Sequence, residues 1–233
     1  MQVRAIKTKV FKENEDLIVF ISRYIKKLPE KSVLVVTSKI VALSEGRVVV
    51  AKNEKEKEAI IRAESSFAMK TKYTWLTIKD GMVLASAGVD ESNADGKIIL
   101  LPKDSFKSAE YIRNIFKKKF KIKNLGVVIT DSRLLPLRAG VVGVALGYAG
   151  FKGVRNYIGL PDIFGRPLKM TETDIADAIA TSAVLLMGEG SECQPLALIS
   201  DAPIVFTDEV NKKELMIDPK EDVYAPLFKK LKN

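Results

Sequence analysis

Apolar residues in the first part of the chain follow two different periods. Leu17, Phe20, Ile21, Tyr24, Ile25 and Leu28 recur at spacings of three and four, which predicts an amphipathic helix over 16–28 with one apolar stripe. Ser32-Val-Leu-Val-Val-Thr-Ser38 is instead a continuous β-branched run, which predicts a buried strand with Ser38 and Lys39 at its carboxyl end. A charge-dense stretch, Lys52 to Lys57, reads as solvated surface and leads into a weaker helical pattern over 55–69. Strands are expected over 73–78 and 81–86, joined at Lys79-Asp80, with Asp80-Gly81 as the hairpin turn signal.

A second strong helix is predicted over 105–119, with Ala109, Ile112, Ile115 and Phe116 inward, followed by a strand over 125–130. The order echoes 16–38: helix, buried strand, then a polar residue at the strand end, where ligands bind in many α/β folds. A third helix is predicted over 172–187, opened by Thr171 and Asp174 as a capping pair and closed by Gly188. Its Ala176, Ala180 and Ala183 permit close approach of a neighbour, which predicts a place inside the molecule. No Pro/Ser-rich linker divides the chain, so 1–233 is expected to be a single domain, with any two lobes joined by ordinary loops.

Composition narrows the chemistry. With 233 residues, 47% hydrophobic and 29% charged, the chain can bury a sizeable core and is not of a disordered class. No apolar run reaches the roughly 18–20 residues that cross a bilayer, and residues 1–10 lack the apolar centre of a secretory signal, so a cytoplasmic protein without a membrane partner is expected. Cys193 is the only cysteine and there is no histidine. That excludes an internal disulfide, the common zinc sites and histidine-based nucleophilic triads. A metal would have to be held by oxygen, which favours Mg²⁺ or Mn²⁺ and phosphate chemistry. The net charge of +9 suits a nucleotide and equally a nucleic acid. Lys117-Lys118-Lys119 is placed on the solvent side of its helix with few interleaved aromatics, so nucleic acid is not the expected partner.

Several residues are candidates for that chemistry. Asp90 and Asn93 lie three apart in Ala87-Gly-Val-Asp-Glu-Ser-Asn93, a glycine-preceded loop after a strand. Asp131 follows the run Gly126-Val-Val-Ile-Thr130, with Ser132 beside it. Carboxylates at strand ends can hold the cations that phosphoryl transfer requires, although acidic residues also cap turns at such places. Gly188-Glu189-Gly190 offers bare backbone amides to an anion, or simply stops a helix. Arg138 and Arg166 can grip carboxylates or phosphates, or pair at the surface. Gly140, Gly143, Gly147 and Gly150 predict tight strand or subunit packing. Neither GxxxxGK[ST] nor GxGxxG occurs, which removes the two commonest nucleotide fingerprints.

In order along the chain, VLVVTSKIVALSEGR (33–47), SAGVDESNADGKIILLP (86–102), GVVITDS (126–132), RAGVVGVALGYAGFKGVRNYIGLPDIFGR (138–166) and LLMGEG (185–190) resemble the coenzyme F-420 γ-glutamyl ligase family over nearly the whole chain. The resemblance implies an α+β fold of two intimately packed lobes with mixed sheets, as an intertwined homodimer. It implies GTP or ATP as co-substrate and two divalent cations per site, Mg²⁺ or Mn²⁺. Asp90 and Asp131 would be catalytic and hold the first cation, with Ser132 and Glu189 at the second. Ser38, Lys39, Asn93 and Gly188 to Gly190 would contact the nucleotide, and Arg138 and Arg166 the substrate. Two departures stand out: Leu43 replaces a family lysine, and Ser132-Arg-Leu-Leu-Pro-Leu-Arg138 replaces a Gly-Arg-aromatic loop that would meet the acceptor. This version looks like the branch labelled as folate-metabolism γ-glutamate ligases. The expected reaction joins an acceptor carboxylate to L-glutamate through an acyl phosphate; a different acceptor such as folate, or a non-catalytic nucleotide sensor on the same fold, are the other readings.

Overall fold

The computed structural model describes residues 1–209 and 211–229. In chain order its first elements are β1 (Gln2–Ile6), α1 (Leu17–Tyr24), β2 (Ser32–Thr37), α2 (Ser38–Ser44), β3 (Val48–Val49), α3 (Glu54–Ala63), β4 (Phe67–Lys70), β5 (Trp75–Lys79) and β6 (Met82–Ala85). There follow β7 (Ile98–Ile99), α4 (Ser105–Phe120), β8 (Leu125–Leu134), β9 (Val141–Ala149), β10 (Val154–Asn156), β11 (Glu172–Asp174), α5 (Ile175–Met187), β12 (Leu196–Ser200) and α6 (Ala225–Lys229). The result is a mixed α+β architecture with several sheets, as the sequence led us to expect.

The main sheet has the order β1-β12-β2-β8-β9. Only β2 and β8 run parallel; the other neighbours are antiparallel. Alternation sends Leu34 and Val36 to one face, where α1, α2 and α4 cover them together with Val127 and Ile129. Val33 and Val35 point the other way, to α5, with Val128, Ala197 and Ile199. Burial on both faces is why β2 reads as an unbroken apolar run rather than an alternating one. In α1 the apolar stripe packs as predicted, with Asp16 capping the first turn by accepting from the Val19 amide. The helix ends at Tyr24, yet Ile25 and Leu28 stay buried in the same cluster.

A smaller antiparallel sheet, β4-β5-β6, stands beside α3, whose Ile61 packs with Trp75, Val89, Ile98 and Leu100. Its β5–β6 turn is the expected one: Asp80 and Gly81 have φ of 51° and 79°, as that tight turn requires. The helix expected to 69 stops at Ala63, because residues 67–70 pair with β5 instead. At the break, Glu64 accepts from Arg47 at 2.7 and 2.8 Å and from Lys79 at 2.9 Å, pinning the helix end to both neighbours.

Strand β8 also differs from expectation. It runs on past Thr130 to Leu134, with a bulge between Ile129 and Thr130, so Asp131 and Ser132 are strand residues rather than the start of a loop. The glycines of β9 admit close neighbours within the chain itself. A Cβ at Gly143 would overlap Val184 of α5, and one at Gly147 would meet the backbone of Ser105 and Phe106 at the start of α4. Helix α5 begins at Ile175, not 172, because residues 172–174 pair with β10; Asp174 alone is its cap, accepting from the Asp177 amide. Its alanine face is buried as expected, but Leu185 and Leu186 on the other side are exposed, so the helix is half covered rather than interior.

Candidate functional site

The parallel register of the main sheet assembles the site. Thr37 of β2 lies opposite Thr130 of β8, so the next residues on the two strands, Ser38 and Asp131, arrive side by side at the carboxyl edge. Ser38 is buried there and opens α2, a seven-residue helix that the sequence pattern did not predict. Lys39 follows on its first turn and reaches the Asp90 loop.

That loop is shaped locally. After β6, a single 3-10 turn over Ser86–Gly88 carries φ of 50°, 55° and 71°, which reverses the chain toward Asp90. Asp90 then exchanges two backbone hydrogen bonds with Ile99, which fixes its position against β7. The Lys39 ammonium pairs with Asp90 Oδ2 at 2.7 Å and donates to the carbonyl and hydroxyl of Ser92 at 2.8 and 3.0 Å. Ser92 donates in turn to both Asp90 oxygens, from its amide at 2.7 Å and its hydroxyl at 2.9 Å. Burial works to raise the Asp90 pKa, but the Lys39 ammonium and the Ser92 donors outweigh it and hold the carboxyl below its ordinary value.

Asp131 behaves in the opposite way. Part of the residue surface is accessible, but the carboxyl is surrounded by protein atoms, and burial pushes its pKa up to about 6. The Ser132 amide opposes this rise, the negative charge of Asp90 adds to it, and Lys39 and the Ser38 hydroxyl offset it in part. Two neighbouring carboxylates are thus held in opposite protonation tendencies, Asp90 by its direct pairing with Lys39 and Asp131 by burial that Lys39 offsets only in part.

The remaining expected residues come from the end of α5. Ser132 Oγ donates to Glu189 Oε1 at 2.6 Å, and the Asn93 amide donates to the Gly190 carbonyl at 3.4 Å. Gly188 has φ of 79°, and the Glu192 carboxylate folds over this loop, accepting from the Gly190 amide at 2.8 Å. Ser38, Lys39, Asp90, Asn93, Asp131, Ser132, Glu189 and Gly190 therefore meet from four segments distant in sequence. Arg138 does not join them: it sits at the exposed β8–β9 turn, where its amide donates to Leu135. Arg166 lies in an exposed loop closed by Asp162, which accepts from the Arg166 amide. Neither guanidinium has an ion pair among the described residues.

Sequence reasoning missed Ser92 and Glu192. The only signal for Ser92 is its place two residues after Asp90, and Glu192 similarly stands two after Gly190. Leu43, which replaces the expected lysine, packs with Ala42, Ala94 and Ile99 and so supports the Asp90 loop through apolar contact.

Among the described residues, no three acidic, cysteine or histidine side chains gather into a ready metal cage. The donors that do face one another are all oxygens, which suits a hard divalent cation. The buried Asp131 charge lacks full compensation, so an added cation would relieve a cost already present. Asp90 and Asp131, whose charges act on one another, and the Ser132–Glu189 pair supply oxygens of the kind such an ion takes.

A family model described as "F420-0:Gamma-glutamyl ligase" matches residues 5–201. The chain belongs to this family. Among relatives, it is 36% identical to a coenzyme F420:L-glutamate ligase of Methanococcus maripaludis over 96% of this chain and 97% of that protein. It is 36% identical to the protein of the same description from Methanocaldococcus jannaschii, over 90% of this chain and 84% of the other. The Archaeoglobus fulgidus counterpart is 31% identical over 95% and 94%. The family match spans β2, β8, β9 and β12 of the main sheet, the end of β1, and all the converging residues named above. Among the described residues, no helix of this γ-glutamyl ligase family member is long and apolar enough to cross a membrane.

Proposed function

We propose that the chain is a nucleotide- and metal-dependent γ-glutamyl ligase that joins an acceptor carboxylate to the amine of L-glutamate. The observation that carries this reading is the convergence of Asp90, Asp131, Ser132 and Glu189 with Ser38, Lys39 and Asn93 at one sheet edge, in a member of this family. In the reaction, the acceptor carboxylate attacks the γ-phosphorus of GTP or ATP and the nucleoside diphosphate leaves. The L-glutamate amine then attacks the acyl phosphate, releasing phosphate and forming the amide.

Two divalent cations, Mg²⁺ or Mn²⁺, held by Asp90, Asp131, Ser132 and Glu189, would supply charge neutralisation at the phosphates. Lys39 is within reach of the same carboxylates and would turn from Asp90 toward the nucleotide phosphates. The backbone of Gly188 to Gly190 would contact the phosphates once the Glu192 carboxylate moves off the Gly190 amide. Asn93 and Ser38 would hold the nucleotide across the cleft between the two loops. Burial of the Asp131 carboxyl would keep water from that side of the site. The acceptor would be an F-420 precursor or a folate; Arg138 and Arg166, in exposed loops apart from the carboxylates, would meet only an outlying part of a substrate.

We further propose a homodimer working in the cytoplasm. What supports pairing is the number of large apolar side chains left bare at Leu137, Ile163, Phe164, Met170 and Leu185. The ligase reading is tested by nucleotide hydrolysis with Mn²⁺ or Mg²⁺ across a panel of F-420 precursors and folates. Phosphate release that requires both L-glutamate and one acceptor, and that disappears in Asp90→Asn, is the expected result. Tight nucleotide binding without turnover on any acceptor would move the assignment to a nucleotide sensor.

A further inference from the structure

The site described above leaves a neighbouring cavity unused. It lies between α3 and the β4–β5 turn, with a volume of about 320 Å³. Four lysines line it, Lys55, Lys57, Lys70 and Lys72, against two carboxylates, Glu54 and Glu58. Its exposed aromatic is Tyr73, at 86%, while Trp75 lines it as a buried ring with the Arg62 guanidinium 4.7 Å from its centre. The ammonium of Lys72 stands 5.1 Å from the Tyr73 ring centre and that of Lys70 5.7 Å from the Trp75 ring centre. Cationic and aromatic groups are thus interleaved, an arrangement that recognises a flat ring carrying negative charge.

The cavity is joined to the Asp90 loop by two contacts. Lys57 pairs at 2.5 Å with Glu91, the residue after Asp90. Thr74 and Ser86 share a hydrogen bond of 2.9 Å at the cavity floor, and Ser86 begins the turn that leads to Asp90. On its other flank the same loop meets the Gly188–Gly190 segment through Asn93. One loop therefore touches both places, and it carries Asp90.

We propose that this cavity seats the ring-bearing, anionic part of the acceptor, so that acceptor and nucleotide approach Asp90 and Asp131 from opposite flanks of one loop. The inference rests on the ligase reading, which puts the nucleotide phosphates on the Gly188–Gly190 side. Lys70 and Lys72 supply the charge that selects the acceptor, and Tyr73 supplies the stacking face. Attraction of this kind weakens with added salt, so acceptor affinity falls as ionic strength rises.

Trp75 is the only tryptophan of the chain, so its emission reports this cavity directly. The full-length protein is titrated with the acceptor it glutamylates, or with flavin mononucleotide as a ring-bearing phosphate if it glutamylates none. A saturable change in Trp75 emission is expected, with the Kd raised about tenfold or more in the double variant Lys70→Glu, Lys72→Glu. The KM for acceptor should rise by the same factor while the KM for nucleotide and the melting temperature stay as in wild type. Tyr73→Ala, at an exposed position, serves as a second variant if the double one melts early, and should raise the same two constants. An unmoved acceptor KM, or a shift in nucleotide KM instead, overturns the proposal. Glutamyl transfer with silent Trp75 emission overturns the cavity and leaves the ligase standing. Saturable Trp75 binding without glutamyl transfer does the reverse.

Discussion

Asp131 and Asp90 show how one residue type acquires two characters. With a carboxyl shifted from 3.8 to about 6, Asp131 holds its proton more tightly in the folded protein than in the unfolded chain. Folded stability therefore falls as pH rises through that window and stays lower above it, by roughly 3 kcal/mol for a shift of about two units. Asp131→Asn removes the charge, so without divalent cation it should melt above wild type at pH 8 and close to it at pH 4, while losing on the order of 10²–10³-fold or more in turnover. A lower melting point than wild type at pH 8 would show that the carboxylate is compensated by groups other than those named. Addition of Mn²⁺ should raise the wild-type melting point more than that of the variant, with the difference fading below pH 6 as the proton competes. Ser92 acts through Asp90, to which it donates twice. Ser92→Ala should raise the cation concentration for half-maximal turnover by about tenfold or more, with nucleotide KM unchanged; a shift in nucleotide KM would assign it a different role. Asp90 and Asn93 were visible in the sequence because a glycine and a strand precede them. Ser92 was not, because its use depends on Lys39, which is placed by the other strand.

At the level of elements, the parallel pairing of β2 with β8 is what brings Ser38 beside Asp131. The stripes of α1 and α4, the run of β2 and the Asp80-Gly81 turn were all legible, since each is fixed by local periodicity or turn chemistry. Helix α2 was not, because it follows β2 without a side-chain cap and is only seven residues long. Residues 67–70 continued a helical composition and become strand only through pairing with β5. Asp131 and Ser132 read as a strand end because they are polar, while β9 supplies the partner that extends β8 past them. Of the glycines expected at close-packing positions, Gly143 and Gly147 of β9 meet α5 and α4 of the same chain and Gly150 meets Leu125 and Arg113, whereas Gly140 faces open space at the β8–β9 turn. At Gly147 a Cβ would approach the Phe106 amide nitrogen to 2.5 Å, and backbone cannot swing aside as a side chain can. Gly147→Ala should cost about 1–3 kcal/mol in urea unfolding. An unchanged midpoint would mean that α4 can shift away from β9 without loss.

For the whole molecule, the exposed apolar residues and the site make separate claims. Leu137, Ile163, Phe164, Met170 and Leu185 are all largely exposed, and the proposed pairing would cover them. Sedimentation should report a dimer, and Phe164→Glu with Leu185→Glu should shift it to monomer; a wild-type monomer at all concentrations would contradict the pairing. Sequence could not say what Ser132 and Glu189 do together, since 57 positions separate them and the packing of α5 against β8 and β9 joins them. Nor could it show that Arg138 and Arg166 lie apart from the carboxylates, because their loops leave the sheet. The central claim is that this sheet edge forms an amide between an acceptor carboxylate and L-glutamate. The most direct measurement is the mass of the acceptor after incubation with L-glutamate, GTP and Mn²⁺. A gain of one glutamyl residue or more in the wild type, absent in Asp131→Ala, is the expected result. A gain that survives in Asp131→Ala would contradict the account.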